Sequence, residues 1–254
     1  MAPVRRPART AAIAVCLVLG LGLLGGGLAG DLLSDGASAA TSADRFDAAA
    51  SLWHSLPVDR IFPPTLRGDG AGPGGADRVW IRIAVAPDSG CADAFDAPLR
   101  EALSAAGCQR LLRATYLDAT STSVTTVGLV ATTAEAAEMA ALHDRFEDRG
   151  VTRRKDSLPL PYAAKGTAAA EFGAEQRASW SVEVLAKLPA VVYAVTGFAD
   201  GRKVTEPEPA EEAMAAGATS VAAQAGLGHD AHGIVQQVAG GFRKAAAKAA
   251  EEAR

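Results

Sequence analysis

The sequence predicts an α+β protein in which an N-terminal transmembrane helix precedes an antiparallel sheet with helices on one face. Three observations support this fold class. Residues 11–30 form one uncharged apolar run. Between residues 78 and 198, short stretches rich in β-branched residues alternate with helical patterns, which is typical of mixed sheets. Residues 205–254 are rich in alanine, a strong helix former, and predict a helical C-terminal region.

The apolar run 11–30, AAIAVCLVLGLGLLGGGLAG, is long enough to span a bilayer, because twenty helical residues extend about 30 Å. Three arginines precede it, and positive residues tend to stay on the cytoplasmic side. We therefore predict a cytoplasmic segment over 1–10, an anchor in the cell membrane over 11–30, a linker over 31–43 and an extracytoplasmic remainder. A cleaved signal peptide is the alternative, since the Ala-Ser-Ala sequence at 37–39 fits a cleavage site and would leave the protein secreted.

The charge balance argues against a nucleic-acid partner. The chain has 25 basic and 29 acidic residues, a net charge of −4. Outside the first ten residues the balance is 22 to 29, a net charge of about −7. Because nucleic-acid binding requires a basic surface, we expect no such partner.

Cys91 and Cys108 are the two cysteines outside the apolar run, and an even pair in an oxidising compartment predicts a disulfide. The helix that we predict between them, over 93–106, would separate its ends by about 20 Å. Bridged Cα atoms must lie within about 7 Å of each other. The disulfide therefore requires a shorter helix, or a chain that folds back at Cys91.

The patterns over residues 44–204 predict one extracytoplasmic α+β domain, followed by the Ala-rich helical region 205–254. The first elements follow the order β-α-β-β-α, which is typical of a ferredoxin-like or related sandwich with the helices on one face. A helix from residue 44 precedes them and ends at Pro57. The predicted strands are 78–86, 110–117, 123–131, 179–187 and 190–198, and the later helices are 93–106, one through 146 with a capping box at 132–135, 210–225 and 233–252.

No motif in the sequence indicates catalysis or a bound cofactor, and we expect no enzymatic activity. The glycine-rich loop 67–77 has no Gly-Lys-Ser/Thr ending, so it does not fit a phosphate-binding loop. The sequence has no G-x-S-x-G nucleophile elbow. His229 and His232 flank Asp230 in a segment whose glycines predict a loop or the start of a helix, and no second cluster supplies the missing ligands of a metal site.

Aromatic and basic side chains on the predicted sheet give the best indication of binding. Trp80 and Arg82 lie on the same side of their strand, opposite the more apolar side. Together with Arg113 and Tyr116 they would make a shallow surface for a ligand or protein. The alternative is that these side chains cover the second face of the sheet beneath the C-terminal helices.

Several stretches also carry a resemblance to a known group of proteins. They are Trp53 followed by LPVD and IFP, then GAGPGGADR, RIAVAPDSGC, RLLRATYLDAT, VTTVGL and VYAVTGFADGR. They resemble an uncharacterised family of actinobacterial membrane proteins of the streptomycete type, over most of residues 44–212. The resemblance implies a membrane protein, and it implies no activity and no functional residues.

These observations together predict a single-pass membrane protein whose extracytoplasmic domain binds a ligand or a partner. One alternative is an anchored or secreted enzyme with catalytic residues dispersed along the sequence. Another is an accessory subunit of a membrane complex, in which the C-terminal helices dock onto a partner protein.

Overall fold

The computed structural model describes residues 42–253, so the predicted membrane anchor 11–30 lies outside the described residues. Across the described part of the chain, no helix is both long enough and apolar enough to cross a membrane. The chain from Arg45 onward forms one compact unit. The C-terminal region that we predicted from residue 205 therefore belongs to the same unit as the sheet.

The described chain is a mixed α+β fold, as predicted. The strands are β1 Thr65–Gly68, β2 Arg78–Val85, β3 Cys108–Asp118, β4 Ser123–Thr132, β5 Ser179–Leu185, β6 Ala190–Phe198 and β7 Glu208–Pro209. The helices are α1 42–50, α2 Leu52–Ser55, α3 Val58–Ile61, α4 Ala97–Ser104, α5 Ala136–Asp148, α6 Ala210–Ala213, α7 Val221–Gln224 and α8 Leu227–Glu252. Short 3₁₀ turns cover Pro73–Gly75, Val151–Arg153 and Ala174–Gln176.

The strands form one seven-stranded sheet in the order β1-β2-β3-β4-β6-β5-β7. Neighbouring strands are antiparallel except β5 and β7, which are parallel. The predicted hairpin is present as β3 and β4, which pair from Cys108↔Thr132 to Leu117↔Val124. The ferredoxin-like topology is wrong, because α4 connects two strands that are antiparallel neighbours, whereas a βαβ unit joins parallel strands.

Helices cover both faces of the sheet. The two helices of the predicted β-α-β-β-α unit, α4 and α5, lie on one face, and the C-terminal helix α8 covers the other. Helix α8 packs on one face, where its residues join a core with β3, β4 and β6. Helices α4 and α5 pack on the other face, against different residues of the same strands. The physical reason is that the central strands are apolar on both sides. Every residue of β4 and eight of the nine in β6 are buried, so each face needs a covering layer.

Helix α8 is one continuous helix that begins at Leu227, six residues before the predicted start at 233. Its predicted apolar stripe, Ile234, Val235, Val238 and Phe242, is buried against the sheet. The burial continues into the Ala/Lys/Glu end of the helix, where Ala246 and Ala250 are also buried. The apolar side of α8 is thus used within the domain.

The predicted disulfide between Cys91 and Cys108 is present, with the two Cα atoms 6.2 Å apart. The observed α4 has only eight residues, so its length is about 12 Å instead of the 20 Å of the predicted helix. Turns over residues 91–96 bring the chain back beside the start of β3. A shorter helix and a returning chain together make the bond possible.

Candidate functional site

The four residues of the predicted binding surface do not share an accessible face. Trp80 and Tyr116 are fully buried in the core beneath α8. Arg82 lies on the same face and binds Asp59 at 2.6 Å and the carbonyl of Phe62. The most exposed side chains of β2 are instead Ile81 and Val85, which are 47% and 40% exposed.

Arg113 lies on the opposite face of the sheet from Tyr116, because the two are three residues apart in one strand. Its guanidinium carbon lies 5.4 Å from the centre of the Tyr162 ring. The hydroxyl of Tyr116 donates a 2.8 Å hydrogen bond to the carbonyl of Pro63. The alternative interpretation, in which these side chains cover the sheet beneath the C-terminal helix, describes Trp80 and Tyr116.

Asp230 is the centre of a buried polar network. Trp80 Nε1 donates to one of its carboxylate oxygens at 2.9 Å, and Ser123 Oγ donates to the other at 2.7 Å. Arg78 Nε lies 3.4 Å from the first oxygen. Burial raises the pKa of Asp230, while the Ser123 hydrogen bond and the Arg78 charge oppose the rise. Since the carboxylate is 1% exposed and bonded to protein groups, its role is to join α8, β2 and the β3–β4 hairpin.

Asp118, at the end of β3, organises the turn of the hairpin. Its carboxylate accepts backbone hydrogen bonds from Thr120, Thr122 and Ser123 at 2.7–3.1 Å. Burial alone would raise the pKa of Asp118, but the hydrogen bonds from Ser123, Thr120 and Thr122 together lower it. The turn thus places Ser123 where it reaches Asp230.

Of the two alternatives for the segment around His229 and His232, the structure has the helix start and not the loop, because α8 already begins at Leu227. The two histidines point to different surroundings. His229 Nδ1 lies 3.0 Å from the carbonyl of Ala71, whereas His232 is exposed beside β5. Across residues 42–253, no group of three His, Cys, Asp or Glu side chains is arranged to hold a metal ion.

A groove of about 260 Å³ lies along β5, beside the place where β7 stops pairing with it. One border is formed by the end of α5 and the turn Val151–Arg153, and the other by the start of α6 and the second turn of α8. Trp180 Nε1 donates a 2.8 Å hydrogen bond to the carbonyl of Thr152, which fixes the turn against the strand. The polar side chains that line the groove are Glu147, Arg153, Ser181, Glu183, Glu211, His232 and Gln236.

The outer edge of β5 is open beyond Trp180. Strand β7 pairs with Ser179 and Trp180 alone, and Pro209 then leads the chain into α6. This parallel register turns the backbone N–H and C=O of Trp180 toward β7. Because alternate residues of a strand point the same way, Val182 and Val184 present their backbone groups to the same edge. No other strand among the described residues pairs there.

The groove is acidic. Three glutamates line it, against one arginine and one exposed histidine. Arg153 makes a bidentate pair with Glu211, with both N–O distances at 2.9 Å. Glu183 accepts a 3.2 Å hydrogen bond from Gln236 and pairs with Arg243, which ties α8 to the strand. The two ion pairs leave the charge of Glu147, and this charge together with the open edge favours an extended, basic peptide over an acidic one.

The sequence analysis did not identify this groove, because its residues are far apart along the chain. A local signal does exist in β5, where Ser181 and Glu183 interrupt the apolar run SWSVEVL. A charged residue within a strand is typical of sheet edges, which natural proteins protect in this way. Glu147 and Glu211 carry no comparable signal, since acidic residues on helices are ordinarily solvated surface positions.

Comparison of the chain with protein-family models, with curated proteins and with solved structures finds no match.

Proposed function

We propose that this is a single-pass membrane protein whose extracytoplasmic domain binds an extended, basic segment of a partner protein along the outer edge of β5. The observation that carries the proposal is the open edge at Val182, which lines the groove beside three glutamates. In strand addition, backbone hydrogen bonds supply the affinity and the flanking side chains select the partner. Arg153 and Arg243 already pair with Glu211 and Glu183, so Glu147 would contribute most to the selection of lysine and arginine.

In this proposal the partner contacts the polar side of the C-terminal helices. The apolar stripe of α8 is packed on the sheet, so docking through that stripe would require the domain to open. The partner would instead meet His232, Gln236 and Glu211 at the border of the groove. An accessory subunit of a membrane complex is one form that such a binding protein would take.

The membrane location rests on the apolar run 11–30 and the arginines before it. The bond between Cys91 and Cys108 agrees with an oxidising compartment. N-terminal sequencing of the mature protein tests the anchor. A start at residue 1 or 2 agrees with retention, whereas a start at Ala40 would show that the run is a cleaved signal peptide.

The groove is tested with synthetic peptides and the full-length chain. The probe is a fluorescent, acetylated Lys-Val-Lys-Val-Lys-Val peptide, compared with its Glu-Val counterpart and with a version N-methylated at alternate amides. We expect the basic peptide to bind and both comparison peptides to bind at least tenfold more weakly. Amide exchange at Val182 should slow when the basic peptide is bound, because new backbone hydrogen bonds form there.

Charge selection is tested with the double variant Glu147→Gln/Glu211→Gln. At about 0.5 kcal/mol per exposed charge, we expect about fivefold weaker binding of the basic peptide. The matched control is Glu251→Gln on α8, which removes the same kind of charge nineteen residues beyond His232, about 28 Å away. Equal binding of the N-methylated peptide, or equal losses in the double variant and the control, would contradict edge binding.

A further inference from the structure

A second cavity, of about 330 Å³, lies beside the disulfide and is separate from the β5 groove. It opens between α4, the start of β3 and β4. Phe95, Leu103 and Val130, which are all buried residues of the core cluster that α4 and α5 share, supply much of its lining. The cavity thus presents a small apolar interior of a size at the lower end of ligand pockets.

Arg100 gives the lining of this cavity a positive charge. It lies on α4, and its Nη1 donates a 3.3 Å hydrogen bond to the carbonyl of Ala92, another lining residue. Across residues 42–253, no carboxylate forms an ion pair with Arg100, although Asp96 one turn earlier is paired with Arg177 at 2.7 Å. An exposed guanidinium without an acidic partner, beside an apolar cavity, is suited to receive an anionic group.

The wall of the cavity that carries Cys91 and Ala92 is held in place covalently. The disulfide connects it to the first residue of β3, with the Cα atoms 6.2 Å apart. Gly107, which precedes Cys108, has a positive φ of 64°, and a Cβ there would lie 2.1 Å from Thr133 Oγ1. The disulfide limits the movement of this wall, which lowers the entropic cost of binding a ligand.

We propose that this cavity is a binding site for a small amphiphilic carboxylate, such as a medium-chain fatty acid or an arylalkanoate. The apolar body would lie against Phe95, Leu103 and Val130, and the carboxylate would pair with the Arg100 guanidinium. Both parts of the ligand are required by this arrangement. An alcohol lacks the charge for Arg100, and a short polar acid lacks the body for the apolar lining.

The test is calorimetric titration of the full-length chain with octanoate, octan-1-ol and acetate as probes. We expect saturable binding of one octanoate per chain, and at least tenfold weaker binding of the other two. Arg100→Gln should weaken octanoate binding about tenfold, and Arg100→Lys should restore part of the affinity because the charge is retained. Arg149→Gln, which removes an exposed arginine outside the cavity, is the matched control and should bind octanoate like the wild type.

A second variant and a reductant test the position of the site. Ala92→Trp places a large ring at an exposed position that lines the cavity, and it should abolish octanoate binding while the thermal midpoint changes little. Reduction of the disulfide should also weaken binding, because the wall is released. Unchanged octanoate affinity in both Arg100→Gln and Ala92→Trp, or equal affinities for octanoate and octan-1-ol, would overturn the proposal.

Discussion

Two glycines of the same helix should respond in opposite ways to replacement by alanine. Gly233 faces the core, where an added Cβ would lie 2.6 Å from Cη2 and 3.1 Å from Cζ2 of Trp80. Gly240 is seven residues further along α8, and nothing lies within 4 Å of the Cβ that would be added there. The helix itself gains about 1 kcal/mol from a Gly→Ala change at either position.

The indole ring of Trp80 has no room to retreat from a methyl group added at Gly233. The ring is fully buried, and its Nε1 is held by Asp230 at 2.9 Å. On another side of the ring, even a Cβ added at Gly68 would approach the indole to 2.7 Å. Overpacking of this kind costs about 1–3 kcal/mol, or more where nothing can shift. We therefore expect Gly233→Ala to lower the free energy of unfolding by about 1–2 kcal/mol, and Gly240→Ala to raise it by about 0.5–1 kcal/mol.

The measurement is urea unfolding of each variant, followed by far-UV circular dichroism. The midpoints should move in opposite directions while the slope of the transition stays constant. In a Trp80→Phe background the smaller ring removes the contact, so the cost of Gly233→Ala should largely disappear although the background itself is less stable. If Gly233→Ala is as stable as Gly240→Ala in the wild-type background, the packing around Trp80 described above is incorrect.

Three further predictions follow from the core and its charges. Thiol alkylation of the native protein should leave Cys91 and Cys108 unlabelled until reductant is added, and labelling before reduction would disprove the bond. The double variant Cys91→Ala/Cys108→Ala should lower the free energy of unfolding by about 3 kcal/mol. Gly128→Ala should destabilise the protein by about 2–3 kcal/mol in thermal unfolding, because the new Cβ would lie 2.3 Å from the buried Tyr193 ring, whereas Gly241→Ala, with open space, should not. Burial raises the pKa of Asp230, so the contribution of Asp230 to the free energy of unfolding falls as pH rises above about 3.8, the ordinary pKa of this carboxyl. Asp118, whose pKa is lowered, contributes with the opposite sign. Asp230→Asn should therefore make stability rise more steeply with pH between about pH 3 and 6, and an unchanged slope in urea midpoints would refute this.

The strands of this domain were predictable because their patterns are local. Stretches such as 78–85 and 190–198 combine β-branched residues with clear turns, and the structure places strands there. The face that each strand buries was less predictable. Alternation in β2 places Trp80 opposite Ile81, but which of the two is buried depends on α8, about 150 residues later. Sequence pattern defines two faces and does not identify the covered one.

Glycines caused the largest error in the helices. Those between 226 and 233 indicate a loop by composition, yet α8 runs through them. Gly226, with φ 71°, forms the turn that directly precedes α8. Gly228 and Gly233 serve close packing, because a Cβ would lie 2.7 Å from Ala213 Cβ and 2.6 Å from Trp80 respectively. A glycine that breaks a helix and one that permits close approach look the same in a sequence.

The first residue of α5 was also mispredicted from the local sequence, by a few positions. The predicted capping box at Thr132 and Glu135 is displaced by three residues, since Glu135 is itself the N-cap. Its backbone N–H donates to the Glu138 carboxylate at 2.8 Å. Thr132 instead remains in β4, where its hydroxyl contacts the sulfur of Met139. Both positions fit the local pattern, and the length of the hairpin decides between them.

The position of α8 at the end of the described chain has a consequence for folding during synthesis. One face of the sheet is covered only when α8 has been made. This face includes the aromatic ring of Tyr116 and the aliphatic side chains of Val127 and Val192. A ribosome that has made all seven strands has therefore produced a half-covered sheet. The Cys91–Cys108 bond joins residues only 17 positions apart, and both are synthesised well before α8. The domain would pass through a stage in which the disulfide has formed while apolar side chains of the sheet are still exposed. A chaperone would matter most in the interval before α8 is synthesised.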